Sequence, residues 1–247
     1  MKVCLNGGRG RADHPAVPLT PAKLAASAVA AAAAGATEVH LHPRRADGGE
    51  SLASADVAAA VTAVRQACPA TPVGVSTGLW ITGGDPAARG AAVAAWAGVP
   101  AAARPDFASV NLSEPGWADL CGLLALAGIA AEAGVWSQAD ADQLAAAGQA
   151  IDWLRILVEI TDAPAGKEAV AADEILRHLD DLGTTAPRLL HGEGRACWPL
   201  IAHAGMLGLP TRIGLEDTTV GPDGSTVVGN AELVRLALHI WTASRAP

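Results

Sequence analysis

Short apolar runs in which side chains alternate between apolar and polar recur along the chain, and each is followed by an Ala-rich stretch whose apolar positions repeat every three to four residues. The alternation predicts strands over residues 3–6, 38–42, 72–76, 107–111, 129–132, 153–159, 188–191 and 212–215. The helical period predicts helices over 21–34, 54–66, 86–95, 116–126, 138–147, 168–179, 196–206 and 230–243. Thr20-Pro21 and the stretch from Ser137 to Asp140 read as helix N-termini, and Gly35, Gly148 and Gly183 stand where a C-terminal cap belongs.

Strict strand–helix alternation implies parallel strands joined by right-handed crossovers. Eight such units in 247 residues predict a (β/α)8 TIM barrel, a single domain over residues 1–247. A doubly wound open sheet is the alternative, but no Gly-x-Gly-x-x-Gly links the first strand to a helix. Asn6-Gly7-Gly8-Arg9-Gly10 leads instead into a Pro-bearing loop through His14-Pro15. Nothing resembling a linker, an internal repeat or a low-complexity tail divides the chain.

Composition changes this picture mainly by exclusion. The chain is 51% hydrophobic and 17% charged, with one Phe and no Tyr, so its core must be built from Ala, Val, Leu and Trp. A net charge of −8 without any Lys/Arg run argues against a nucleic-acid partner and for a small molecule. Mean hydropathy is +0.28, yet the longest apolar run, near residues 25–35, is mostly Ala and too short for a bilayer. The first residues turn polar at once and lack the apolar segment of a signal peptide, and Cys4, Cys68, Cys121 and Cys197 form no Cys-x-x-Cys pair. The expectation is a cytoplasmic protein with buried thiols.

In a barrel of this class the site lies at the C-terminal ends of the strands. Those ends are polar: Asn6 and Arg9, His40 and His42, Ser76 and Thr77, Ser109 and Asn111, Glu132, Glu159, His191, and Glu216 with Asp217. On a strand over 38–42, Glu38, His40 and His42 share one face, with the two histidine Cα atoms about 6.6 Å apart. Both rings then reach one divalent ion, or else only hydrogen-bond within a polar pocket. Glu216 is the best third ligand, because strands eight, one and two are neighbours in a closed barrel, and a His2Glu set with an open position suits zinc. Arg212 lies five residues before Asp217, near enough through a turn to keep that carboxylate ionised, whether for structure or as a base. His191 precedes Gly192-Glu193-Gly194, a place open to substrate contact or to a structural hydrogen bond. His14, His178, His203 and His239 read as loop or helix-surface residues.

Several stretches then carry a resemblance: Asn6-Gly7-Gly8-Arg9, Pro18-Leu19-Thr20-Pro21, Ala34-Gly35-Ala36, His40-Leu41-His42-Pro43-Arg44 and Gly49-Glu50-Ser51. Ser76-Thr77-Gly78, Ser109-Val110-Asn111, Glu132-Ala133-Gly134-Val135-Trp136 and Arg212-Ile213-Gly214-Leu215-Glu216-Asp217-Thr218 continue it to the end of the chain. Together they resemble the β-keto acid cleavage enzyme family, which includes the 3-keto-5-aminohexanoate cleavage enzymes. The resemblance implies a zinc-dependent (β/α)8 fold that converts a β-keto acid and acetyl-CoA into acetoacetate and a new acyl-CoA. It implies His40, His42 and Glu216 as the zinc ligands, Asp217 held by Arg212 as the base, and Ser76 as a catalytic hydroxyl. Asn6, Arg9, Thr77, Ser109 and Asn111 are implied on the substrate side, and a homo-oligomer, dimer or tetramer, is expected. Arg9 stands where the aminohexanoate branch has an acidic residue for the substrate ammonium, which points to a neutral or anionic β-keto acid. The alternatives are another metal-dependent barrel lyase or aldolase that does not use CoA, and a non-catalytic metal- or ligand-binding barrel.

Overall fold

The computed structural model describes residues 1–245. Eight strands run in one parallel sheet: β1 (Lys2–Cys4), β2 (Glu38–Leu41), β3 (Val73–Ser76), β4 (Phe107–Asn111), β5 (Ala130–Val135), β6 (Trp153–Ile160), β7 (Arg188–Gly192) and β8 (Arg212–Ile213). Eight helices follow them in turn: α1 (Pro21–Ala33), α2 (Ser54–Ala67), α3 (Pro86–Ala94), α4 (Trp117–Leu126), α5 (Gln138–Ala147), α6 (Glu168–Asp181), α7 (Cys197–Met206) and α8 (Asn230–Ser244). The ladder order is β7-β6-β5-β4-β3-β2-β1-β8. The Leu190 N–H donates to the Pro210 carbonyl at 3.0 Å, drawing β7 to the start of β8 and nearly closing the (β/α)8 barrel.

The expected N-caps form: Thr20 accepts from the Lys23 N–H, and Ser137 accepts from the Asp140 N–H. Outward strand positions such as Val3, Val39, Val75, Val110 and Val158 are buried under helix residues such as Leu24, Val61, Leu124 and Leu233. Ala28 and Ala31 on α1 are fully buried, so small side chains let that helix lie close on the sheet.

Inside, the lower barrel is filled by charge and one ring. Lys2 Nζ donates to both Glu132 oxygens at 3.0 and 2.9 Å, while Arg155 pairs with Glu132 at 3.0 Å and bonds both oxygens of Glu38. Lys2 and Arg155 lie 5.7 and 5.8 Å from the Phe107 ring, the chain's only Phe. Phe107 needs the absence of a side chain at Gly74, where a Cβ would stand 1.9 Å from its ring.

This network corrects two expectations. The strand expected to end at Glu132 runs on to Val135, and Glu132 is a fully buried partner of Lys2 below the site, not a residue of its rim. The strand expected over 212–215 keeps only Arg212–Ile213 in the ladder. At Gly214 the backbone passes so close to Cys4 that a Cβ would meet the Cys4 carbonyl oxygen at 1.8 Å. The chain then turns, the Asp217 N–H donating back to the Gly214 carbonyl at 2.9 Å.

Candidate metal centre and active site

β2 delivers His40 from within the strand and His42 just past its end, as the pleat requires. Their rings meet edge to face at 5.3 Å between centroids. The turn after β8 brings Glu216 opposite them: its Oε2 lies 3.8 Å from His40 Nε2 and 3.5 Å from His42 Nε2. Three donors bonded at about 2.0–2.2 Å to one tetrahedral ion stand roughly 3.4 Å apart, so these separations fit a small divalent cation. The other carboxylate oxygen, Oε1, accepts from Arg212 Nη2 at 3.0 Å, whereas buried Oε2 has no hydrogen-bond partner. One oxygen is held by the protein and the other is turned toward the imidazoles.

Outer contacts fix this geometry. His42 Nδ1 lies 2.5 Å from Glu50 Oε1, and Glu50 Oε2 accepts the Trp80 indole N–H at 3.1 Å. The Trp80 ring stacks on His42 at 6.3 Å and 25°. Gly7 makes room for Glu216: its φ is +52°, and a Cβ there would lie 2.5 Å from Glu216 Cγ. Arg44 pins the same loop by donating to the carbonyls of Gly7 and, at 3.0 Å, Arg9.

Charge follows this packing. Burial holds His40 well below the usual imidazole range, leaving it neutral with a free lone pair. His42 is raised to about 9 against the lowering effect of burial, because Glu216 and Glu50 face it. Glu216 is held well below the carboxylate range although burial opposes this, chiefly by the Arg212 guanidinium and then by the two histidines. Burial pushes Asp217 up to about 7 against the pull of Arg212. Asp217 Oδ1 accepts from Arg212 Nε at 3.0 Å and Nη2 at 2.6 Å, while Oδ2 is buried without a partner.

Above these residues opens a cavity of about 360 Å³. His40, His42, Glu216 and Arg212 line it, as do Arg9, Ser76, Ser109 and Asn111, so most of the expected set converges there. Three members do not reach its wall. Asp217 lies fully buried behind Arg212 and Glu216. Asn6 is also fully buried: its amide donates to the carbonyls of Pro18 and His42 and its oxygen accepts the His42 N–H, so it braces the backbone at His42. Thr77 points away from the lumen, its hydroxyl on the Ser109 carbonyl at 2.5 Å. His14 lies in a loop, as read from the sequence, but is buried there with Nε2 2.8 Å from the Val227 carbonyl.

The cavity also has walls that sequence reasoning left without a role: Trp80, Trp136, Leu157, Thr161 and Glu193, together with Glu159, which was recognised only as a strand end. Trp136 Nε1 donates to Glu159 Oε2 at 3.0 Å. An aromatic residue shortly after a polar strand end, as with Ser76 and Trp80, is the signal that would have found the tryptophans.

A (β/α)8 barrel with a His–His–Glu donor set at its strand ends, one carboxylate oxygen turned toward the imidazoles, belongs to the class of barrels that could hold a divalent ion there. The chain belongs to the β-keto acid cleavage enzyme family, whose model matches residues 1–247. Among solved structures it resembles ObcA in its binary complex with oxaloacetate (18% identity, TM-score 0.72), covering 91% of this chain and 63% of that one. It also resembles the ternary complex of ObcA with a C4-CoA adduct and oxalate (20% identity, TM-score 0.70), again over 91% and 63%. The chain thus spans less than two thirds of the length of ObcA. No curated protein sequence matches it. Among the described residues, no helix is long and apolar enough to cross a membrane.

Proposed function

We propose that the protein is a zinc-dependent β-keto acid cleavage enzyme that exchanges acyl groups between a β-keto acid and acetyl-CoA, giving acetoacetate and a new acyl-CoA. The observation that carries this is the unpartnered Glu216 Oε2 set against His40 and His42, beside an Arg212–Asp217 pair, in a chain of this family. His40, His42 and Glu216 would hold the ion, which when bound supplies Lewis-acid polarisation of a β-keto acid's oxygens. Asp217 is the base that takes the C2 proton. Its Oδ2 is free to accept one, and Arg212 holds the carboxyl by Oδ1 and steadies the charge that alternates there.

Asp217 is fully buried behind Arg212 and Glu216, so the transfer requires those two to part slightly as substrate enters. The Ser76 and Ser109 hydroxyls, on paired positions of β3 and β4, face developing oxyanions. Arg9, half-buried on the cavity wall with Nε donating to the Glu216 carbonyl at 3.1 Å, keeps its outer nitrogens for a substrate carboxylate.

The test is turnover of β-keto acids supplied with acetyl-CoA by zinc-loaded protein, followed as acetoacetate and acyl-CoA. Asp217→Asn is expected to lower kcat at least about a hundredfold with one zinc per chain retained. Cleavage that proceeds without acetyl-CoA would assign the protein to the lyases and aldolases. Protein without stoichiometric zinc, unaffected by His40→Ala, would refute the metal centre.

A further inference from the structure

Acetyl-CoA carries its phosphates at the far end of a long pantetheine arm, so they must rest outside the cavity in which its thioester reacts. Cations at the C-terminal rim of the barrel are few and unevenly placed. The loop after β1 carries Arg9 and Arg11, and the loop after β2 carries Arg44 and Arg45. The loops after β3, β4, β5 and β8 carry none, whereas Lys167 follows β6 and Arg195 follows β7. Arg195 is engaged within its own surroundings, donating to the Ala163 carbonyl and standing 3.8 Å from Glu168. The loops after β6, β7 and β8 also bring Asp162, Glu193, Glu216, Asp217 and Asp223 to that side. In a chain of net charge −8, a polyanion is therefore repelled from that side of the rim and drawn to the loops after β1 and β2.

Those two loops form one structure. Arg44 ties them together, its Nη1 donating to the Gly48 carbonyl at 3.2 Å and its Nη2 to the carbonyls of Gly7 and, at 3.0 Å, Arg9. Residues 44–50 make a small hairpin, with a bridge between Arg44 and Glu50 and the Arg45 N–H donating to the Gly49 carbonyl at 2.8 Å. The Arg45 side chain lies across Gly49, where a Cβ would stand 2.2 Å from its Nη2, and its Nη1 donates to the Glu50 carbonyl at 2.8 Å. It is thus held in place while remaining 53% exposed. Arg11 is exposed on the other loop. The acids here shape the loops: Asp13 accepts the Gly10 N–H and Asp47 the Gly49 N–H, each at 2.8 Å, with Asp47 also 3.4 Å from Arg45 Nε. Glu50, the last residue of the hairpin, accepts the indole N–H of Trp80, which lines the cavity. The basic edge is therefore continuous with the entrance to the site, and guanidinium groups suit phosphate oxygens.

We infer that Arg11 and Arg45 form the receptor for the phosphates of the CoA co-substrate, so that the nucleotide lies over the loops after β1 and β2 and the arm enters past Trp80. The inference rests on the acyl-exchange reading and gives its co-substrate a place. It also separates the arginines by role. Arg9, on the cavity wall, faces the carboxylate of the β-keto acid, Arg44 braces the loops, and Arg11 and Arg45 meet the nucleotide outside.

The experiment compares acetyl-CoA with S-acetylpantetheine, which keeps the thioester and the arm but lacks the nucleotide, as acyl donors to 3-oxohexanoate. Arg11→Gln and Arg45→Gln should each raise KM for acetyl-CoA about tenfold, and together about a hundredfold, with the effect in KM rather than kcat. The same variants should change kcat/KM for S-acetylpantetheine by less than about twofold, and Arg195→Gln should leave KM for acetyl-CoA as in the parent. A KM for acetyl-CoA within about twofold of the parent in the double variant would overturn the inference. So would an equal loss on S-acetylpantetheine, or a rise in KM in Arg195→Gln as large as in the double variant. Calorimetry of zinc-loaded protein with adenosine 3′,5′-bisphosphate gives a readout independent of turnover. Binding that weakens about tenfold in Arg45→Gln supports the receptor even where no β-keto acid is exchanged, in which case the acyl-exchange reading is what fails. Absence of bisphosphate binding, or equal binding by parent and double variant, refutes the receptor, and continued exchange with acetyl-CoA would leave the acyl-exchange reading standing.

Discussion

Replacing Glu50 isolates how the ion site is held without touching its three proposed ligands. The Glu50 carboxylate lies 2.5 Å from His42 Nδ1, which directs Nε2 of the same ring toward Glu216. A hydrogen bond to a charged acceptor contributes about 1.5–3 kcal/mol and a neutral one about 0.5–1.5. Glu50→Gln keeps an oxygen for the ring but removes the charge, so it should cost about 1–1.5 kcal/mol, roughly a tenfold weaker ion affinity. Glu50→Ala also frees the ring to turn, and the loss should approach about a hundredfold. Competition against a chromogenic chelator, with zinc and then cobalt, measures both affinities. Thermal unfolding of the metal-free variants checks the fold, which is expected to survive because Glu50 is partly exposed in a loop. Trp80 gives a second signal, since its ring stacks on His42 and its N–H bonds the same carboxylate. Its fluorescence should change on ion binding, and the change should vanish in Trp80→Phe. Affinities of both Glu50 variants within twofold of the parent would refute the reasoning.

Other consequences follow from single contacts. Gly7→Ala places a methyl 2.5 Å from Glu216 Cγ at a positive φ. It should cost about 1–2 kcal/mol of stability and weaken ion binding at least about tenfold, read by the same chelator competition. Lys2→Met leaves fully buried Glu132 with Arg155 alone. The expected loss is about 3 kcal/mol, or roughly 6–12 °C in Tm, partly restored by adding Glu132→Leu, and calorimetry of the single and double variants decides it. Burial pushes the Cys121 thiol up to about 12 and those of Cys4 and Cys197 well above the usual range, so in native protein at pH 8 these three should resist thiol reagents, while denatured protein exposes four thiols. Because these folded-state values are raised, the protons are retained in the native state and lost from the unfolded chain near pH 9. The stability they lend is present below about pH 9 and falls as pH rises from there toward 12, which urea midpoints at pH 8 and pH 10 would show.

Much of the architecture was legible because alternation and helical period are local signals, and β4 and α5 coincide with the stretches that predicted them. The His–His–Glu set was legible for a related reason: two residues lie on one strand face, and the third follows β8, which only β1 separates from β2 in a closed barrel. What local pattern could not show was compensation from far along the chain. Glu132 reads as a strand end until Lys2, 130 residues away, is seen to neutralise it. Ser76 and Thr77 read as a pair of substrate hydroxyls, yet Thr77 stands one residue past β3 and gives its hydroxyl to the Ser109 carbonyl, so only Ser76 enters the cavity. Asn6 lies beyond the last ladder residue of β1, Cys4, where alternation no longer governs direction, and its amide turns to the His42 backbone.

The two levels of the barrel interior differ in charge balance, and the difference bears on what the site accepts. Below, Lys2 and Arg155 meet Glu132 and Glu38, two cations against two carboxylates, and the cluster is complete by itself. Above, one guanidinium, Arg212, faces Glu159, Glu193, Glu216 and Asp217 and hydrogen-bonds only the last two, while burial raises Glu159, Glu193 and Asp217. Unpaired carboxylates in a low-dielectric site are retained only where something else supplies the opposite charge. One divalent ion at His40, His42 and Glu216 would add positive charge beside these acids. The lower cluster is therefore balanced without a ligand, whereas the upper one is completed by an ion.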